Sequence, residues 1–246
     1  MHLPMGEWVL LVVILGMVAF SLWEADKAKV AVLDGHKTKI RAYKEAMVFM
    51  WIPTVLLMLL LLIGTILPSA LGLTWHNSWR SWGGVALALG VIGYFTYSVY
   101  SLGQSAEKRH AYRKAIAGNH DWMMPSNTSE LRWFTLGLSV SAGICEELLF
   151  RGFLIGVLSQ EIGIVTSVTV SSVLFGMCHL YQGWKNVLRT ALVGLVLALI
   201  FVFTEVLWVV IALHIAVDVY GGIVGYLLNK SEQIVASELG LARDSG

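Results

Sequence analysis

Long apolar runs separated by short charged stretches set the pattern of this chain. Windows at 7–23, 46–67, 82–103, 131–158, 164–181, 187–203 and 206–228 are apolar enough to read as spans, since about 20 apolar residues cross a hydrocarbon core of roughly 30 Å. The pattern predicts an all-α fold, a polytopic transmembrane helical bundle with about seven spans. Only Thr204 and Glu205 interrupt the apolar stretch between the last two windows, which are read as a tight helical hairpin. The first window could be a signal peptide. It carries Glu7 rather than basic residues and has no small-residue cleavage site before Glu24, so a retained helix is expected.

Composition agrees with the pattern. Of 246 residues 57% are hydrophobic and 13% charged, and the mean hydropathy is +0.73, a balance foreign to water-soluble domains. Charge then orients the bundle. Lys27, Lys29, Lys37, Lys39, Arg41 and Lys44 fall between spans one and two, and Lys108, Arg109, Arg113, Lys114 and Arg132 around the loop between spans three and four. Lys185, Arg189, Lys230 and Arg243 lie on the same side, against Arg80 in the opposite loops. The positive-inside rule puts the N-terminus outside and the C-terminus in the cytoplasm, with a bacterial cytoplasmic membrane the expected location. A net charge of +1, with basic residues interleaved among acidic ones, argues against a nucleic-acid partner. Cys145 and Cys178 sit in apolar helices and read as small buried hydrophobes.

The loop between spans three and four carries its own signals. The stretch 107–118 is charged and helix-favouring and reads as an interfacial extension of span three; Gly118-Asn119 and Met124-Pro125 break the chain after it. Asn127 followed by Glu130 then reads as a helix start with a capping-box-like pair. No internal repeat is visible. The expected organisation is an N-terminal set of helices and loops over 1–130, a core over 131–228 and a cytoplasmic tail over 229–246.

Three polar clusters break the apolar core: Glu146-Glu147-x-x-x-Arg151, Phe175-x-x-x-His179 and His214-x-x-x-Asp218. A single Asp, Lys or Arg at the centre of a spanning helix costs roughly 2.5 to 3.5 kcal/mol, so such groups mark functional sites by default. Glu147 and Arg151 are four apart and share a helix face as an ion pair. Glu146 points about 100° away from Glu147. That leaves it without the arginine, as suits a general base. His214 and Asp218 also share a face, so the carboxylate can orient the imidazole. One route to amide hydrolysis has Glu146 and His179 activating a water while His214 and Asp218 stabilise the oxyanion. The other has Glu and His side chains ligating zinc. The residues leave both open, so zinc or a metal-free mechanism is possible and no metal ligand is assigned. HExxH and GxSxG are absent, which disfavours other protease classes.

In order and spacing the clusters resemble the motifs EExxxR, FxxxH and HxxxN/D of the CPBP (CAAX protease and bacteriocin-processing, or Abi) family of intramembrane proteases. The resemblance covers residues 131–228. It implies Glu146 as the water-activating carboxylate, His179 as its partner or a ligand, Glu147 and Arg151 as supporting residues, and His214 with Asp218 as the oxyanion pair. The last position is often Asn in prenyl-protein endopeptidases; aspartate here cannot donate a hydrogen bond unless protonated.

The implied function is an intramembrane endopeptidase that cleaves a membrane-associated protein or peptide, through CAAX-type, leader or sorting-tail processing, with the lipid bilayer as its surroundings. The alternatives are a non-catalytic scaffold or immunity protein and a proton-coupled transporter. No feature of the sequence sets the oligomeric state.

Overall fold

The computed structural model describes residues 3–116 and 121–238; Gly118-Asn119, predicted to break the chain, and Arg243 lie outside them. The described residues are helical without strands. Helices α1 (Met5–Leu33), α2 (Lys39–Leu62) and α3 (Trp79–Gln104) come first, followed by the amphipathic α4 (Ala106–Ile116). Ser105, in extended conformation, separates α4 from α3. The charged extension is thus a helix of its own.

A continuous helical run over 128–157, here α5, follows. It alternates α-turns (Thr128–Arg132, Ser139–Glu146) with π-helical stretches (Trp133–Leu138, Glu147–Val157). Its start is capped as the sequence predicts, with the Asn127 side chain accepting from the Glu130 N–H at 2.9 Å. The return bond differs from the standard box: the Glu130 carboxylate accepts from the Ser126 N–H at 2.8 Å, while Lys39 clamps Ser126 and the Met124 carbonyl.

Helices α6 (Ile164–Met177), α7 (Trp184–Thr204) and α8 (Leu207–Glu238) complete the chain. The hairpin between α7 and α8 turns on Glu205 in left-handed conformation (φ 57°). Its carboxylate pairs with Arg80 at 3.1 Å, and the Leu207 N–H reaches the Gly72 carbonyl at 2.8 Å.

Among the described residues, five helices are long and apolar enough to span: α1, α2, α3, α7 and α8. Helix α6 has 14 residues, about 21 Å at 1.5 Å per residue, short of a full crossing. The predicted span at 164–181 thus ends early, at Met177, before a 3-10 turn Leu180–Gln182 and Gly183 at φ 91°. The protein is an integral membrane protein with a helical bundle of approximately the expected seven segments. Helix α8 runs on to Glu238, so the stretch read as a tail from 229 begins as helix.

Helix α5 is the axis of the bundle. Every residue from Glu147 to Ile155 is buried, as a helix enclosed on all sides requires. Leu10 and Ile14 of α1, Leu57 of α2, Phe175 of α6, Ala198 of α7 and Val210 of α8 share its core cluster. Glycines permit the close approach: a Cβ on Gly143 would press on Ile215 of α8, and one on Gly137 would stand 3.2 Å from the Met47 sulfur of α2.

Candidate functional site

The three polar clusters converge on one point because α5, α6 and α8 pack side by side. Arg151 Nη1 donates to Glu147 Oε1 at 2.8 Å, both side chains fully buried. The same oxygen accepts from His214 Nδ1 at 2.7 Å. Glu147 is therefore the junction between α5 and α8, across 67 positions of sequence. Arg151 Nη2 donates to the Gly194 carbonyl of α7 at 2.9 Å, and its guanidinium lies 4.3 Å from the centroid of the Phe175 ring, a cation–π contact that adds to its electrostatic compensation.

Phe175 is the shared wall of the site. Its ring meets the rings of His179 at 5.0 Å, His214 at 5.7 Å and Phe150 at 5.4 Å. It fits there only because residue 194 is glycine: a Cβ on Gly194 would stand 2.9 Å from the Phe175 ring and 3.4 Å from Arg151. Gly176 plays the same part between α6 and α7, where an added Cβ would lie 2.8 Å from the Val187 carbonyl oxygen. Gly176→Leu should therefore cost about 1–3 kcal/mol through overpacking against backbone. Thermal unfolding of the purified protein in micelles should show it as a midpoint lowered by about 2–4 °C per kcal/mol.

Glu146 faces the other way from Arg151, as helical spacing predicts. Its Oε2 is buried and has no hydrogen-bond partner. It stands 3.9 Å from His214 Nε2, which is in turn 3.7 Å from Asp218 Oδ2. These separations are too long for direct hydrogen bonds and suit groups that share a third polar atom. His179 follows the end of α6 and its Nδ1 lies 2.9 Å from the Phe175 carbonyl oxygen. A carbonyl only accepts, so Nδ1 carries the hydrogen and the neutral ring keeps its lone pair on Nε2.

Glu146, His179, His214 and Asp218 line a single cavity of about 1010 Å³. It extends to Lys37 and Glu45 near the α1–α2 turn and to Tyr112 of α4, the face that bears most of the basic loops. Glu147 and Arg151 stand behind its wall. The N-terminal helices contribute to the cavity as well, through Phe20 and Ser21 of α1 and Phe49 of α2, residues outside the three polar clusters of the sequence. Cys145 is buried and Cys178 half-buried, both as free thiols.

Among the described residues no three His, Cys, Asp or Glu side chains are placed to hold a metal ion. His179 Nδ1 is held by a carbonyl and His214 Nδ1 by Glu147, which leaves Nε2 of each histidine available.

Residues 128–220 match the family described as type II CAAX prenyl endopeptidase Rce1-like. The chain is 24% identical over 131 residues to a protein of Bacillus subtilis (strain 168) described as "Putative membrane peptidase YdiL", an alignment covering 53% of this chain and 48% of that one. The chain thus spans about half the length of the curated relative it matches. No solved structure matches. The family match spans all three motifs and agrees with the resemblance of their order and spacing to the CPBP family, in a chain that is an integral membrane protein.

Proposed function

We propose that the protein is an intramembrane endopeptidase, with Glu146 as the general base that activates water. The observation that carries this reading is the Glu146 carboxylate itself, lining the cavity with a buried oxygen that no protein group satisfies. A buried carboxylate oxygen without a hydrogen bond is costly at this depth. Chemistry at this carboxylate accounts for that cost.

In this mechanism Glu146 takes a proton from water as the water oxygen bonds to the scissile carbonyl carbon and the C=O π pair moves onto oxygen. His214 Nε2, when protonated, donates to that oxyanion. Glu147 holds the other ring nitrogen and so fixes the imidazole's orientation. On collapse the C–N bond breaks and the proton held by Glu146 passes to the leaving amine, with His179 Nε2 as an auxiliary acceptor beside it. Asp218 orients His214 from the cavity side.

The substrate class that fits is a membrane-associated peptide or protein tail, of CAAX, leader or sorting type: the cavity is large, its apolar wall admits an apolar chain, and its polar end holds the reacting groups. The core is residues 131–228, supported by helices of 1–130. The cavity opens to the cytoplasm if the basic loops are inside.

New protein termini in membranes of cells carrying the wild type, Glu146→Gln or no copy test the reading. Termini found with the wild type alone identify a protease and its substrate. Identical termini in all three, with the variant rescuing the deletion phenotype, would move the scaffold role to the front.

A further inference from the structure

We propose that the Tyr181 hydroxyl donates a hydrogen bond to the carbonyl oxygen of the bond being cleaved, making it a catalytic residue outside the three motifs. The inference rests on the proteolytic reading above.

The need for it comes from the donor inventory. An oxyanion site works through preorganised donors, yet Glu146 and Asp218, when ionised, only accept. Arg151 is committed to Glu147 and Gly194, and His179 Nδ1 to the Phe175 carbonyl. Of the six motif residues only His214, through Nε2, is left to donate. Asp218, as an ionised carboxylate, supplies no second donor, so one has to come from elsewhere.

Tyr181 is placed to be that donor. It sits two residues after His179 in the 3-10 turn Leu180–Gln182, half-buried, and lines the same cavity as Glu146, His214 and Asp218. The ring is fixed on two sides, by His179 at 5.8 Å with planes tilted 31° and by the edge of the buried Trp122 at 6.2 Å. The turn is itself held by the Asn186 side chain on the Gln182 carbonyl at 2.8 Å and by the Gly183 N–H on the Leu180 carbonyl at 2.7 Å.

Orientation of the hydroxyl follows from its neighbour. Gln182 Nε2 donates to the phenol oxygen at 3.0 Å, which uses a lone pair and leaves the phenol's own hydrogen for another acceptor. As water adds to the carbonyl carbon and charge gathers on oxygen, that O–H strengthens its hydrogen bond without giving up its proton. Proton transfer stays with Glu146.

The test uses the full-length protein in micelles and a farnesylated fluorogenic peptide ending in a CAAX tail. Tyr181→Phe keeps the ring and removes only the hydroxyl, while Tyr181→Leu removes both. The expected result is turnover by the wild type, none by Glu146→Gln, and a Tyr181→Phe kcat lower by about 10²–10³-fold, the loss seen when one oxyanion donor is removed. KM and the thermal midpoint of Tyr181→Phe should stay near wild-type values. Wild-type-like kcat in Tyr181→Phe with a loss confined to Tyr181→Leu would overturn the inference and leave the protease intact, since the ring alone would matter. A Tyr181→Phe protein that no longer folds would also overturn it. Failure of the wild type to cleave the peptide, together with unchanged termini in cells, would remove the proteolytic reading and this inference with it.

Discussion

Replacing Arg151 by methionine is expected to destabilise the protein by about 3–5 kcal/mol, the cost of leaving one member of a buried ion pair without the other. Glu147 and Arg151 are both fully buried on the axis of the bundle. Without the guanidinium, Glu147 keeps only His214 as a partner on Oε1, and its Oε2 has none at all. The loss should therefore fall near the upper end of the range. Arg151 also ties α5 to the Gly194 carbonyl of α7, so the substitution removes an inter-helix bond along with the charge.

A double variant separates these contributions. In Glu147→Gln/Arg151→Met the unpaired charge is gone, and replacing a whole buried pair by neutral groups is often close to neutral in stability. The double variant should unfold later than Arg151→Met alone in a denaturant series in micelles. If both unfold together, the guanidinium contributes through packing on Phe175 and Gly194 and the ion pair adds little. Activity should be lost in the double variant, because the Glu147 carboxylate also orients His214.

Contacts four residues apart could be read from the chain, because helical spacing dictates them. Glu147 with Arg151 and His214 near Asp218 are of this kind, and so is the isolation of Glu146 from the arginine. The Glu205 turn was equally legible as the sole polar break in a long apolar run. The bond from Glu147 to His214 was not, since it depends on how α5 and α8 pack across 67 positions. Nor was the π-helical geometry of Glu147–Val157. With every residue from 147 to 155 buried, the sequence there is apolar on all faces apart from Glu147 and Arg151 and has no period to show a change of winding. Tyr181 carries no sequence signal for a related reason: on a 3-10 turn it belongs to no helix face, and its value lies in neighbours that only the folded chain supplies.

The two adjacent glutamates should behave differently when each is made neutral, and the contrast tests the division of labour between them. Glu146→Gln is expected to lower kcat by at least 10²–10⁴-fold, the usual contribution of a positioned general base, with KM almost unchanged because the interaction lost is made in the transition state. Its stability should hold or rise. A buried carboxylate oxygen without a partner becomes part of a neutral amide, which costs less to bury. Glu147→Gln should lose stability as well as activity, since charge-assisted hydrogen bonds from Arg151 and His214 both end on its Oε1. Kinetics on the farnesylated peptide and thermal unfolding of the same preparations decide the matter. If Glu147→Gln were the more stable protein and the more severely inactive enzyme, the base would be Glu147, and Glu146 would be the residue that holds the helix in place.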